Sequence, residues 1–310
     1  MENKIYSTAI IGGGPAGYSA ALYCARAGLS TVVLEKLSAG GQMAETGKIE
    51  NYPGFEKGID GFELGMKMEK TALKFGAESR YCRVISADLK SDPKVIKTTD
   101  GDILAHTVII ATGASPRKLG IKDEEKLIGK GVAYCAYCDG MMYKGKTVAV
   151  LGGGDSAAED ALYLSSICKK VYLIHRRDKL RASESYIKAL EKQNNIEIIL
   201  NTEPLEFIYD DILTGIRLRN ISDNKNFDLD CNAVFVAVGR VPESGIFKDQ
   251  IETDRYGYIK ADEDCKTNIA GVFAAGDIRT KSLRQVVTAV SDGANAAKSA
   301  KDYIYKDRGA

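Results

Sequence analysis

The sequence predicts an α/β fold of two Rossmann-like, three-layer units, the second inserted into the first. Three observations carry this. A strand, a glycine-rich turn and a helix occur twice, at Gly12 and again at Gly152, 140 residues apart. A second landmark repeats as well: Val108-Ile109-Ile110-Ala111-Thr112-Gly113 matches Val234-Phe235-Val236-Ala237-Val238-Gly239 at an offset of 126. A third strand-glycine element, Gly271 to Asp277, comes after the second copy and reads as having no counterpart in it. The first unit is therefore expected to be discontinuous, 1–116 and 244–310, around an inserted 117–243. Repetition on this scale means two related domains, because solenoid periods stay below ~50 residues.

Each element has a local reason. Tyr6 to Ile11 is short, apolar and partly β-branched, the pattern of a buried strand. The turn Gly12-Gly13-Gly14-Pro15-Ala16-Gly17 follows, then a helical pattern from about Tyr18 to Ala27, closed by Gly28. Thr31 to Leu34 forms the next strand and ends at Glu35. The second copy runs Thr147 to Leu151, Gly152-Gly153-Gly154-Asp155-Ser156-Ala157, a helix to about Cys168 and a strand Val171 to Ile174.

Composition narrows the class. At 310 residues, 45% hydrophobic and 27% charged, the chain is long enough for two domains of ~150 residues. Lys plus Arg total 43 and Asp plus Glu 42, so no basic footprint points to nucleic acid or an anionic membrane surface. No run approaches the ~20 apolar residues of a membrane span. The first residues break their apolar run with glycines and lack a small-residue cleavage site, so they do not read as a signal peptide. Seven cysteines, an odd number, read as a reduced cytoplasmic chain with single buried thiols.

A strand entering a glycine-rich turn and a helix N-terminus makes an anion site. The glycines allow the tight turn, the approach of backbone to a pyrophosphate, and close helix–strand packing. Gly12, Gly14 and Gly17 have this spacing, and Gly152, Gly154 and Ala157 have its small-residue variant. The end of the following strand separates the ligands. Glu35, 23 residues after Gly12, is a carboxylate able to accept from both ribose hydroxyls, and it would repel a 2′-phosphate. The same interval from Gly152 reaches His175, followed by Arg176, Arg177 and Arg181. Guanidinium groups match a phosphate in charge and geometry. One site is thus expected to take a dinucleotide with free ribose hydroxyls and the other one with a 2′-phosphate; FAD with NADPH is the economical pair.

Cys135-Ala136-Tyr137-Cys138-Asp139-Gly140 lies just before the second glycine turn. A CxxC pair is a redox disulfide or half a zinc site. Zinc needs four ligands, yet there is no second CxxC and the only histidines are His106 and His175, so no metal is expected. Cys24, Cys82, Cys168, Cys231 and Cys265 sit singly in apolar patterns and read as packing thiols. Asp139 is the nearest titratable group and the candidate acid or base; its other reading is a turn residue before Gly140.

Taken together, GGGPAG with Glu35, the Gly40-Gly41-Gln42 segment, Asn51, VIIATGA, CAYCDG, GGGDSAAED, HRRDKLRA and GVFAAGDI followed by Arg284-Gln285-Val286 resemble the low-molecular-weight NADPH-dependent thioredoxin reductases nearly end to end. The resemblance implies FAD held by the first domain. Its site would include Pro15, Ala16, Val84, Ala111, Thr112, Gly113 and Gly276 with the glycine turn, and Asp277 and Arg284-Gln285-Val286 near the ribityl chain and isoalloxazine. It implies NADPH held by the second domain, with Asp155, Ser156, Glu159, Arg181 and Gly239 assisting. It also implies a homodimer, with Cys138 facing the flavin and Cys135 attacking the disulfide of thioredoxin or a thioredoxin-like protein, and large domain rotation between half-reactions. The chain departs from the family at Tyr137, where a smaller residue is usual, at Met141-Met142, where aromatic residues are common, and at Glu243 after Pro242, where asparagine is common. The larger disulfide reductases carry their cysteines near residue 40 and append a dimerisation domain; the stretch Gly40 to Pro53 has no cysteine. A peroxide-forming oxidase, a peroxiredoxin-reducing module and a nucleotide-binding redox sensor remain as alternatives.

Overall fold

The computed structural model describes residues 4–46 and 48–307. The chain divides into two compact units, Met1–Ser115 with Val241–Ala310, and Pro116–Arg240. In chain order the elements are β1 (Ile5–Ile11), α1 (Pro15–Arg26), β2 (Thr31–Glu35), α2 (Gly61–Lys74), β3 (Glu78–Tyr81), β4 (Val84–Asp88), β5 (Lys94–Thr98) and β6 (Gly101–Ile110). There follow β7 (Ala114–Pro116), β8 (Val132–Ala133), α3 (Ala136–Asp139), β9 (Thr147–Leu151), α4 (Asp155–Ser165), β10 (Lys170–Ile174) and α5 (Glu184–Glu191). The remainder are β11 (Ile196–Ile199), β12 (Thr202–Tyr209), β13 (Leu213–Asn220), β14 (Asn226–Asp230), β15 (Ala233–Val236), β16 (Arg240–Pro242), β17 (Val272–Ala274) and α6 (Val286–Asp302).

In the first unit the sheet order is β3-β2-β1-β6-β5-β4, with β17 also paired to β6. The length of β6, ten residues, lets it carry two partners along one edge. Its first half pairs antiparallel with β5, and Val108 to Ile110 pair parallel with β17. Successive side chains point to opposite faces, so both faces of each central strand must be apolar. Ile10, Val33, Ile109 and Phe273 pack in one cluster with residues of α1 and α6. Their neighbours Ile11, Val32, Val108 and Val272 pack on the other face with Ile96, Phe247 and Ile259.

The second unit repeats the plan. Its sheet, β11-β10-β9-β15-β8, is parallel at every pairing. Val148, Val150, Leu173 and Phe235 face α4 and α5, while Ala149, Leu151, Ile174 and Val234 face the antiparallel sheet β12-β13-β14. Each fully buried large side chain here, Phe235 and Leu164 among them, contributes about 1.5–3 kcal/mol.

Three sequence expectations need correction. The strand at 272–274 does have a spatial counterpart: β8 pairs parallel with β15 at the place where β17 pairs with β6. It was invisible because it precedes its glycine turn in the chain whereas β17 follows its own. The first helix also starts at Pro15, within the glycine turn; proline has its φ set for a first helical position and no N–H to lose there. The second helix ends at Ser165, short of Cys168.

One buried charge cluster braces the first unit. Asp292 lies on the alanine-lined face of α6, in a row with Ala289 and Ala296. Its Oδ2 accepts from Gly276 N at 3.0 Å, Arg279 Nε at 2.9 Å and Lys281 Nζ at 2.8 Å, and its Oδ1 from Arg279 Nη2 at 2.9 Å. Burial pushes this carboxyl's pKa up, but hydrogen bonds and charge from Arg279 and Lys281 outweigh it and hold the pKa below the ordinary value. Asp292→Asn should destabilise the protein by about 3–5 kcal/mol, because two buried cations lose their counter-charge. A depressed carboxyl stabilises the fold above its unfolded pKa of ~3.9 and ceases to do so as pH falls through the folded value. Urea unfolding should therefore show a parent-to-variant gap that is constant from pH 8 to about pH 4 and shrinks below it; a gap independent of pH would refute the electrostatic account.

Candidate active site

The first glycine turn is shaped by close backbone approach. A Cβ on Gly17 would overlap the Gly12 carbonyl oxygen, and one on Gly12, at φ 107°, would overlap that of Ala111. Gly14 heads α1 with no side-chain cap, and a Cβ there would meet nothing within 4 Å. The space in front of the helix N-terminus is thus open, the cradle a pyrophosphate needs. Glu35 closes one side: its Oε2 accepts from Gly13 N at 2.7 Å and its Oε1 from Lys36 N at 2.8 Å and Leu37 N at 3.0 Å.

The structure brings Gly40, Gly41 and Gly276 to this turn and places the other first-unit candidates as follows. Gly40 N donates to Gly13 O at 2.8 Å, and a Cβ on Gly41 would come within 3.3 Å of Gly14 Cα. Gln42 Nε2 donates to Ala114 O at 2.6 Å, beside Gly113 in the left-handed conformation at φ 74°. Thr112 Oγ1 donates to Glu243 O at 2.9 Å. A Cβ on Gly276 would press on Ala16 Cβ at 2.8 Å, so the Gly276-Asp277 turn sits directly over the start of α1. Asn51 Nδ2 donates to Gln285 Oε1 at 3.0 Å, and Val286 begins α6. Arg284 lies over the Tyr258 ring at 4.2 Å, and its Nε is buried with no hydrogen-bond partner among the described residues. Val84 opens β4 and packs on the opposite sheet face; its link to the turn is Cys82, whose N–H donates to Glu35 O at 2.8 Å.

The second turn has the same form and the opposite charge. Gly154 heads α4 uncapped and a Cβ there again meets nothing within 4 Å. A Cβ on Gly152 would lie 2.6 Å from Ala157 Cβ. Where Glu35 sits against Gly13, the His175 imidazole sits against Gly153, leaving no room for a Cβ. His175 is buried, its Nε2 has no hydrogen-bond partner among the described residues, and burial, then Arg181, Arg177 and Arg176, lower its pKa. Arg176, Arg177 and Arg181 are exposed, and Arg181 N donates to Gly153 O at 2.6 Å, tying the cationic loop to the turn. Asp155 Oδ1 accepts from Ser183 N at 2.7 Å, while Ser156 is exposed. Gly239, at φ 111°, accepts from Arg117 N at 2.9 Å. Open cradles, the Glu35 carboxylate and the arginine cluster fit two dinucleotides, one of them phosphorylated on its ribose.

The thiol pair is a disulfide, Cys135–Cys138, with Cα atoms 5.2 Å apart. It follows β8 directly, and Cys135 is the N-cap of α3: its Sγ accepts from Cys138 N at 3.1 Å. A backbone donor on that sulfur favours its thiolate once the bond is opened. Gly140 seats the turn on α4, where a Cβ would press on Leu164 and Tyr163 at 3.0 Å. Asp139 is largely enclosed, and burial alone pushes its pKa up to about 6. The other five cysteines are buried, and burial raises each thiol, Cys24, Cys231 and Cys265 to about 12, which keeps them inert.

Sequence reasoning missed Tyr163, whose ring stacks on Tyr137, and Asp160, which burial and Glu159 push up to about 7 against Arg240. It also missed Arg279, Lys281 and Asp292. An aspartate in register with alanines on the apolar face of a helix was the available signal for the last.

Residues 6–293 match the family described as Pyridine nucleotide-disulphide oxidoreductase. A thioredoxin reductase of Peptoclostridium acidaminophilum is 43% identical over 310 residues, covering 98% of both chains. The crystal structure of thioredoxin reductase from Streptococcus pyogenes MGAS5005 is 42% identical, superposes with a TM-score of 0.90 and covers 98% of this chain and 99% of its own. That of Lactococcus lactis thioredoxin reductase, in an FR conformation, is 41% identical with a TM-score of 0.69, covering 97% and 99%.

A carboxyl raised by burial destabilises the fold once it ionises. Asp139 is protonated in both states below pH ~4, and its cost grows as pH rises through about 6. Asp139→Asn should therefore gain about 2 kcal/mol of stability at pH 8 relative to its effect at pH 4. Urea unfolding at the two pH values measures this; an equal effect at both would remove the burial argument.

Proposed function

The chain belongs to the pyridine nucleotide-disulphide oxidoreductase family, and within it to the thioredoxin reductases; from that premise we propose that it passes electrons from NADPH through FAD and the Cys135–Cys138 disulfide to oxidised thioredoxin. The observation that carries this is a closed CxxC disulfide seated on the helix that an open, arginine-flanked glycine cradle heads. Bound FAD supplies the two-electron relay between a nicotinamide and a disulfide. In this reading the first unit holds it: Gly12, Gly14 and Gly17 face the pyrophosphate, Glu35 takes the ribose hydroxyls, and Asp277 and Arg284 to Val286 reach the flavin end. Gly152, Gly154 and Ala157 bind the NADPH pyrophosphate and Arg176, Arg177 and Arg181 its 2′-phosphate.

Cys138 faces the flavin and Cys135, whose sulfur already receives the Cys138 N–H, attacks the partner disulfide. Asp139, with its pKa raised to about 6, exchanges the proton that thiol chemistry requires near neutral pH. The thiols and the nicotinamide cradle belong to one unit and the flavin cradle to the other, so each is presented to the flavin in turn by rotation of the units. In support, two relatives of nearly the same identity, 42% and 41%, superpose at TM-scores of 0.90 and 0.69, as expected of intact units turned against each other. The reading includes a cytoplasmic homodimer; five buried cysteines left as free thiols accord with a reducing compartment.

Cys135→Ser and Cys138→Ser should each abolish reduction of thioredoxin while NADPH still bleaches the flavin in rapid mixing. Thioredoxin turnover near the parent level in either variant would overturn the proposed path. Replacing Arg176 and Arg177 together by Ala should raise the KM for NADPH at least about tenfold, since charged hydrogen bonds contribute about 1.5–3 kcal/mol each. The KM for NADH should stay nearly unchanged; equal losses with both would mean the arginines support the fold instead.

A further inference from the structure

We propose that Tyr137, between the two cysteines, is a positioning residue that clamps the redox turn onto α4 and so favours the disulfide form of Cys135–Cys138. This rests on reading that disulfide as the redox centre. The ring of Tyr137 stacks on that of Tyr163 with centroids 4.3 Å apart and planes at 26°. Its hydroxyl donates to Glu159 Oε1 at 3.3 Å. Glu159 and Tyr163 lie four residues apart on α4, so they occupy one face on adjacent turns and hold the two ends of one side chain. The ring is still 41% exposed, so core packing does not explain it. Burial, then the Glu159 carboxylate, raise the pKa of the phenol, and it stays a donor at neutral pH.

Two separate thiols need more room than one S–S bond, so reduction asks α3 to relax. Cys138 shares its single turn with Tyr137, and the clamp resists that movement. An offset aromatic pair shifts an equilibrium by roughly 2- to 12-fold.

The test equilibrates the purified holoenzyme with dithiothreitol. The two thiols of dithiothreitol become its cyclic disulfide, while the Cys135–Cys138 bond opens and takes up the two electrons and two protons. The fraction reduced is read by thiol alkylation and mass. Tyr137→Ala should make the disulfide about tenfold easier to reduce, a potential about 30 mV less negative. Tyr137→Phe, which keeps the stack, should restore all but about twofold of this. Tyr163→Leu removes the stack from the other side but leaves the Tyr137 hydroxyl on Glu159, so it should shift the equilibrium about fivefold, and it decides the case if Tyr137→Ala does not fold. The double variant should shift no further than Tyr137→Ala. A Tyr137→Ala equilibrium equal to the parent's, with only the KM for thioredoxin raised, would assign Tyr137 to partner docking and overturn the clamp. A parent that equilibrates with dithiothreitol but never reduces thioredoxin would sink the functional reading alone.

Discussion

The constraint on which the rest of the structure depends is the contact of helix start with strand end at each glycine turn. Helix α1 can begin where it does only because Gly17 has no Cβ to strike the Gly12 carbonyl oxygen. That approach aims the first free N–H groups of the helix into open space ahead of Gly14 and brings the end of β2 against Gly13. Once the backbone is set, the residue at the end of the second strand differs between the two turns. Glu35 sits against Gly13, whereas His175, followed by Arg176 and Arg177, sits against Gly153. In the proposed reading the backbone makes both sites anion receptors, and the strand-end residue tells the anions apart.

The pseudo-symmetry extends to the redox turn. β17 leads into Gly276-Asp277 over the start of α1, and β8 leads into Cys135 and α3 beside α4. Both turns leave the sheet at its carboxyl end, next to their own glycine cradle. In the first unit the position is a backbone turn braced by Asp292. In the second it holds a disulfide. The thiols thus stand near the second glycine turn as a consequence of topology, since only one strand, β15, separates β8 from β9 in sheet order.

What could be read from the residues follows from how local each signal is. The glycine turns, Glu35, the arginine run and CxxC are each contained within about 25 residues, and periodicity places them on strands and turns. The role of β8 was hidden because two residues carry no periodicity and its partner lies about 100 positions away. Asp292 escaped for the same reason: its donors come from a loop that only tertiary packing brings to α6. Tyr137 was noticed as an unusual residue, but its stack on Tyr163 needs the three-dimensional register of α3 on α4.

Two aspartates, one buried and one half-buried, show why residue type alone does not settle chemistry. Asp292 and Asp139 both lose water on folding, which by itself favours the neutral acid. Asp292 meets two cations and a backbone N–H, so it stays charged and acts as a brace. Asp139 meets no such compensation, and its pKa rises to about 6. At neutral pH such a group carries an appreciable share of both forms, so it can release a proton and regain one at little thermodynamic cost. A fully compensated carboxylate in its place would hold the redox turn more firmly. In the mechanism proposed above, the uncompensated burial of Asp139 goes with the disulfide beside it: the fold gives up some stability at that turn, and the group is suited to exchange protons near neutral pH.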